Sequence, residues 1–256
     1  MAAQRRPVTF LRPARALGGL AAVCQSAIHA AERTGNAAQV AQQLARLGII
    51  HGQQRRYQDA TSCLERSLAI CREVGDRPTE GQVLNDLGNV YRLQGRYQEA
   101  IGYFQQSLPL RREVGDRHGV GKVLINLGDA YLRQGRYRMA LGCYQQDLAI
   151  CREFGDARGE GITLQNFGNL HQAQGRYRAA FGYHKQALAI CRRVGDRCEE
   201  ARALWGLGRA IAAMDGPDVA RSYWTAALAI LEGLGAPQAE EIRIVLTDHL
   251  AQVAEI

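Results

Sequence analysis

Arginine, glutamate and aspartate stand within six residues in the stretch REVGDR, at residues 72–77 and again at 112–117. Near copies follow, REFGDA at 152–157 and RRVGDR at 192–197. A carboxylate beside a guanidinium is raw material for acid–base chemistry, because a neighbouring cation shifts the carboxyl pKa. The spacing points elsewhere. Arg72, Arg112, Arg152 and Arg192 lie 40 residues apart, and so do Asp76, Asp116, Asp156 and Asp196. A cluster that returns at a fixed period of about 20–50 residues belongs to a repeating unit. Other reactive sets do not emerge: there is no Ser/His/Asp or Cys/His arrangement, no phosphate-cradling loop and no metal-ligand spacing. The seven cysteines form no CxxC pair and recur at repeat positions (71, 151, 191; 63, 143), as small buried residues do. Neither catalysis, a metal nor a cofactor is expected, and reduced thiols fit a cytoplasmic protein.

The elements that carry these residues can be framed from Gly35. Five repeats follow without insertion: 35–74, 75–114, 115–154, 155–194 and 195–234. In the second, Val83, Leu84, Leu87, Val90 and Tyr91 follow the i, i+3, i+4, i+7 rule of an amphipathic helix, and Tyr97, Ala100, Ile101, Phe104 and Leu108 follow it again after QGRY. Each repeat is therefore a helical hairpin. REVGDR is the joint between hairpins. Its arginine sits in a last helical turn, its glycine ends that helix, and its aspartate caps the next one. Asn36 takes the aspartate's place in the first repeat.

Five glycines, 48, 88, 128, 168 and 208, share one position inside the first helix. Glycine there costs about 1 kcal/mol against alanine, so its recurrence implies a close helix approach. Ala60, Ala100, Ala140, Ala180 and Ala220 are the small residues of the second helix, each followed four residues later by a large one: Leu64, Phe104, Tyr144, His184 and Trp224. His51 and His171 stand where other repeats have tyrosine and read as interface residues.

The patterns LNDLGNVY…A…F at 84–104 and LINLGDAY…A…Y at 124–144 resemble the tetratricopeptide repeat (TPR). The resemblance extends over nearly the whole chain. The period is 40 rather than the usual ~34 residues, similar to arrays of kinesin light chain, Pins-type adaptors and especially actinobacterial regulators, where they often follow a nucleotide-binding switch domain. One departure is that arginine replaces the helix-ending proline. The resemblance implies an all-α, right-handed superhelical solenoid of antiparallel helix pairs with about 12 helices, and a concave binding face lined by the first helices. The groove residues so implied are Gln82, Asn85, Asp86, Asn89, Lys122, Asn126, Asp129, Gln165, Asn166, Asn169, Arg202, Trp205 and Arg209. They vary between repeats while packing positions hold. Side-chain amides both donate and accept, which suits the backbone of an extended peptide. Trp205 between Arg202 and Arg209 has hot-spot composition. Asn85, Ile162 and Asn166 stand where the family's clamp for acidic C-terminal tails needs cations, so binding of that type is not expected.

The implied function is a non-catalytic scaffold that binds a peptide or protein segment, as a free adaptor or as the sensor part of a larger signalling protein. A helical-repeat RNA binder is the alternative. Charge argues against it: the net +7 falls to +3 once Arg5, Arg6, Arg12 and Arg15 are set aside. Neither nucleic acid nor membrane is expected as a partner. Residues 1–13 read as a basic, flexible segment, 14–34 as the second helix of a partial repeat, and 235–256 as a C-terminal capping helix. The uncovered face of the helix at 14–34 offers a surface for self-association.

Overall fold

The computed structural model describes residues 12–236, together with 239, 240, 242–244, 246 and 247. The segment at 1–11 and most of the C-terminal helix expected over 235–256 lie outside the described residues. Eleven helices are described along their whole length: α1 (Arg12–Arg33), α2 (Ala37–Gln53), α3 (Tyr57–Val74), α4 (Arg77–Leu93), α5 (Tyr97–Glu113), α6 (Arg117–Arg133), α7 (Tyr137–Glu153), α8 (Ala157–Ala173), α9 (Tyr177–Val194), α10 (Arg197–Asp215) and α11 (Pro217–Gly233). The described residues 239, 240, 242–244, 246 and 247 are helical too and belong to a twelfth. No described residue is in a β-strand. The helices start at matching positions 40 residues apart, and the chain is an all-α helical repeat protein.

Two compact units divide at Val123 and Leu124, inside α6. In the first, α1 packs on α2, α2 on α3, α3 on α4 and α4 on α5, with the first helices α2 and α4 also in contact. In the second, α7 packs on α8, α8 on α9, α9 on α10 and α10 on α11, with α8 against α10.

The REVGDR joints behave as their chemistry dictates. Gly75 and Gly195 end their helices with φ of 72° and 73°, a left-handed conformation that costs a residue with a Cβ. Asp76 then accepts from the Thr79 amide at 3.1 Å, Asp116 from Gly119 at 2.8 Å, Asp156 from Gly159 at 2.8 Å and Asp196 from Glu199 at 3.1 Å. Asn36 caps α2 in the same way through Gln39. The arginines do more than meet a helix dipole. Arg72 donates to Glu80 at 3.0 Å, Arg152 to Glu160 at 2.8 Å and Arg192 to Glu200 at 2.9 Å. Each pair ties the end of one hairpin to the first turn of the next. Glu80 and Glu200 are buried and each takes a second guanidinium, from Arg77 and Arg197.

The glycine positions are close approaches. A Cβ on Gly88 would lie 2.5 Å from Cε1 of Phe104, and one on Gly48 would lie 2.6 Å from Cγ of Leu64. Tyr144 fills the slot at Gly128, and Trp224 the slot at Gly208. His184 is held between Gly168 and Gly206, 2.5 Å from the Cβ that either would carry. Gly48, Gly88, Gly128, Gly168 and Gly208 are thus notches, each for the large residue sixteen positions on.

Candidate functional site

Knob-and-notch packing buries one side of each first helix and leaves the other to display side chains. In the first unit, α4 presents Gln82 exposed and Asp86 and Asn89 half-buried, and α6 presents Lys122 exposed. Asn89 accepts from the Arg92 Nε at 3.3 Å. The Asp86 carboxylate accepts one long bond, 3.4 Å, from the Asn85 amide. Its other oxygen, Oδ2, is buried and unpartnered. Burial pushes the Asp86 carboxyl up to about 6, against the Asn85 hydrogen bond and the charges of Arg111 and Lys122, which pull it down.

In the second unit, α6 presents Asn126 and Asp129, both half-buried, and Asp129 accepts from the Tyr144 hydroxyl at 2.8 Å. On α8, Asn169 is exposed, and Asn166 is half-buried with its amide nitrogen Nδ2 buried and unpartnered. On α10, Arg202 and Arg209 are exposed. Trp205 is half-buried, its ring 5.8 Å from that of Trp224 and tilted by 46°. One face of Trp205 is therefore spent on the last hairpin, as much packing as display.

Two of the residues expected to line the groove are buried, Asn85 at 8% exposure and Gln165, whereas Trp205 at the same repeat position is half-buried. Gln165 donates through Nε2 to the Glu199 carbonyl at 3.2 Å and to its carboxylate at 3.0 Å. Arg202 donates to the same carboxylate at 2.8 Å. Glu199 therefore organises Gln165 and Arg202 into one network, and sequence reasoning passed it over. Its signal was a charge at a position that is Thr79, Gly119 and Gly159 in the preceding repeats. The histidines expected at interfaces lie there: His51 is buried, and the His171 ring stacks on Tyr183 at 5.1 Å. All seven cysteines are free thiols. Burial pushes Cys143 and Cys191 up to about 11 and Cys151 up to about 12, which leaves them protonated and unreactive near neutrality. No group of three or more metal-ligating side chains occurs among the described residues.

Paired helices with glycine notches and capped joints define a helical-repeat scaffold. The tetratricopeptide repeat family matches residues 39–113, 79–153 and 119–193, and the chain belongs to it. No curated protein matches the sequence. Among solved structures, BtubC (BKLC) from P. vanneervenii is similar over 86% of this chain and 92% of its own, at 18% identity and a TM-score of 0.73. A Rap protein complexed with competence and sporulation factor is similar over 93% of this chain and 71% of its own, at 13% identity and a TM-score of 0.71. A signal transduction ATPase (STAND) protein from Pyrococcus horikoshii with a tetratricopeptide repeat sensor shares 85% of this chain but only 38% of its own, at 16% identity and a TM-score of 0.60. These likenesses are likenesses of fold.

Proposed function

We propose that the chain is a non-catalytic scaffold that takes an extended peptide or protein segment along its first-helix face. The observation that carries this reading is Asn166. Its amide nitrogen is buried without a partner, on the helix that displays Asn169 and packs against the one displaying Trp205 and Arg209. An unmet donor in such a place has a cost that a ligand carbonyl would remove. Asn126 and Asp129 extend the polar row in the second unit, and Gln82, Asp86, Asn89 and Lys122 line the first. Behind the row, Asn85 donates to Asp86 and Gln165 to Glu199, which the exposed Arg202 also meets.

The Rap protein bound to competence and sporulation factor shows that a fold of this kind can hold a second molecule, and the repeat sensor of the STAND protein supports a regulatory role within a larger assembly. A further contact surface for self-association is α1, where Leu20 and Val23 are exposed.

The test is co-purification from native lysate, with partners identified by mass spectrometry, for the wild-type chain, Trp205→Ala, and Asn126→Ala with Asn166→Ala. Partners should be depleted about tenfold or more in both variants, since truncating a hot-spot residue costs about 2 kcal/mol. Retention of the same partners in both would remove the assignment.

A further inference from the structure

The connectors inside the hairpins differ in charge in a way that the helix faces do not reveal. In the first unit each connector carries its own acid. Arg56 donates to Asp59 at 2.7 Å, and Arg96 to Glu99 at 2.9 Å. In the second unit the corresponding acids are replaced by Met139 and Ala179, and Gln58 and Gln98 are replaced by Arg138 and Arg178. Residues 130–146 and 161–195 contain no Asp or Glu. Arg133, Arg136, Arg138, Arg176 and Arg178 are all exposed. Arg136 lies over the Tyr131 ring at 4.6 Å. Neither Arg136 nor Arg176 has an acid three residues on, as Arg56 and Arg96 do.

These arginines lie on two connectors that touch. The Tyr137 hydroxyl donates to the Ala173 carbonyl at 3.3 Å, which joins the connector between α6 and α7 to the one between α8 and α9. Met139 stands in the same patch, 48% exposed. We propose that this edge of the second unit is a docking surface for an acidic protein segment that carries an apolar side chain. Guanidinium groups pair with carboxylates in a planar, bidentate fashion, and Met139 gives the apolar residue a flexible, polarizable seat. In the first unit the arriving carboxylate would have to displace Asp59 or Glu99; here those two acids are replaced by Met139 and Ala179. Nucleic acid fits less well, because single strands need aromatic platforms for their bases. The tyrosines here are occupied: Tyr131 is buried under Arg136, and Tyr137 is half-buried with its hydroxyl bonded.

The experiment measures fluorescence anisotropy of a labelled poly-glutamate peptide with one central leucine, against the full chain. The key variant gives the second unit the residues of the first: Arg138→Gln, Met139→Glu, Arg178→Gln and Ala179→Glu. All four sites are exposed, and circular dichroism checks the fold. The wild-type chain should bind the peptide at about 50 mM salt and lose it near 300 mM, as expected of exposed charges. The exchange should weaken binding about tenfold or more, and Arg138→Glu alone should weaken it by a smaller factor. Absence of wild-type binding at low salt, or equal affinity in the folded exchange variant, overturns the proposal. So does tighter binding of a single-stranded oligonucleotide, or of phosphatidylserine vesicles, through the same arginines.

Discussion

The glycine notches of the two units are filled by different chemistry. In the first unit Leu64 and Phe104 enter them, with no polar atom. In the second, Tyr144, His184 and Trp224 do so, and each brings a polar atom into the core. Tyr144 meets its need by donating to Asp129. Both ring nitrogens of His184 and the Trp224 Nε1 are buried and unpartnered. The notch therefore selects for volume, and tolerates a polar edge at some cost in stability. The connectors repeat the contrast, neutralised by their own acids in the first unit and left cationic in the second. One scaffold position can thus be purely structural in one repeat and carry a further constraint in another.

Truncating an apolar knob should produce the largest loss and so test the first half of the comparison. Phe104→Ala should cost about 3–5 kcal/mol, the usual range for a buried aromatic, measured by chemical denaturation. A loss below about 1 kcal/mol would mean that the notch at Gly88 is not packed as described.

The polar knobs give a smaller effect with a sign set by pH. Burial, helped by the Arg209 charge, holds His184 down to about 4. An unfolded histidine titrates near its ordinary value of about 6.5. Between those values the unfolded chain binds the proton and the folded chain does not, so stability falls as pH drops through that window. At about 1.4 kcal/mol per pKa unit the loss is on the order of 3 kcal/mol by pH 4. His184→Phe keeps the shape, removes the titration and should flatten the denaturation midpoint between pH 6.5 and 4 relative to wild type. Parallel acid curves for the two proteins would show that His184 is not the source.

The joints should show the smallest effect and little difference between units. Asp156→Ala removes one cap from the second unit and should cost about 1 kcal/mol, as Asp76→Ala should in the first. Thermal melts of the pair check this. A much larger loss at one of them would make that joint part of a network rather than a simple cap.

The period of 40 residues determined a great deal without coordinates. Helix pairs, joints and notches follow from it because each rests on local chemistry: apolar spacing, a glycine that can turn left-handed, an aspartate within reach of the amide three residues on. The close approach at Gly88 was legible from the recurrence of its glycine, but that Phe104 is the residue entering the notch was decided by packing. What the sequence could not supply lies between repeats. Arg72 reads locally as a dipole partner, yet its guanidinium crosses the joint to Glu80. Asn85 and Gln165 read as groove residues by position, yet both are buried, and Gln165 is taken up by Glu199, 34 residues away. The Tyr137–Ala173 hydrogen bond, which joins two connectors 36 residues apart, has no signal in the sequence. Local interactions repeat with the sequence and can be read from it. How one repeat leans on the next is decided by packing, and that is where partners, burial and charge density were set.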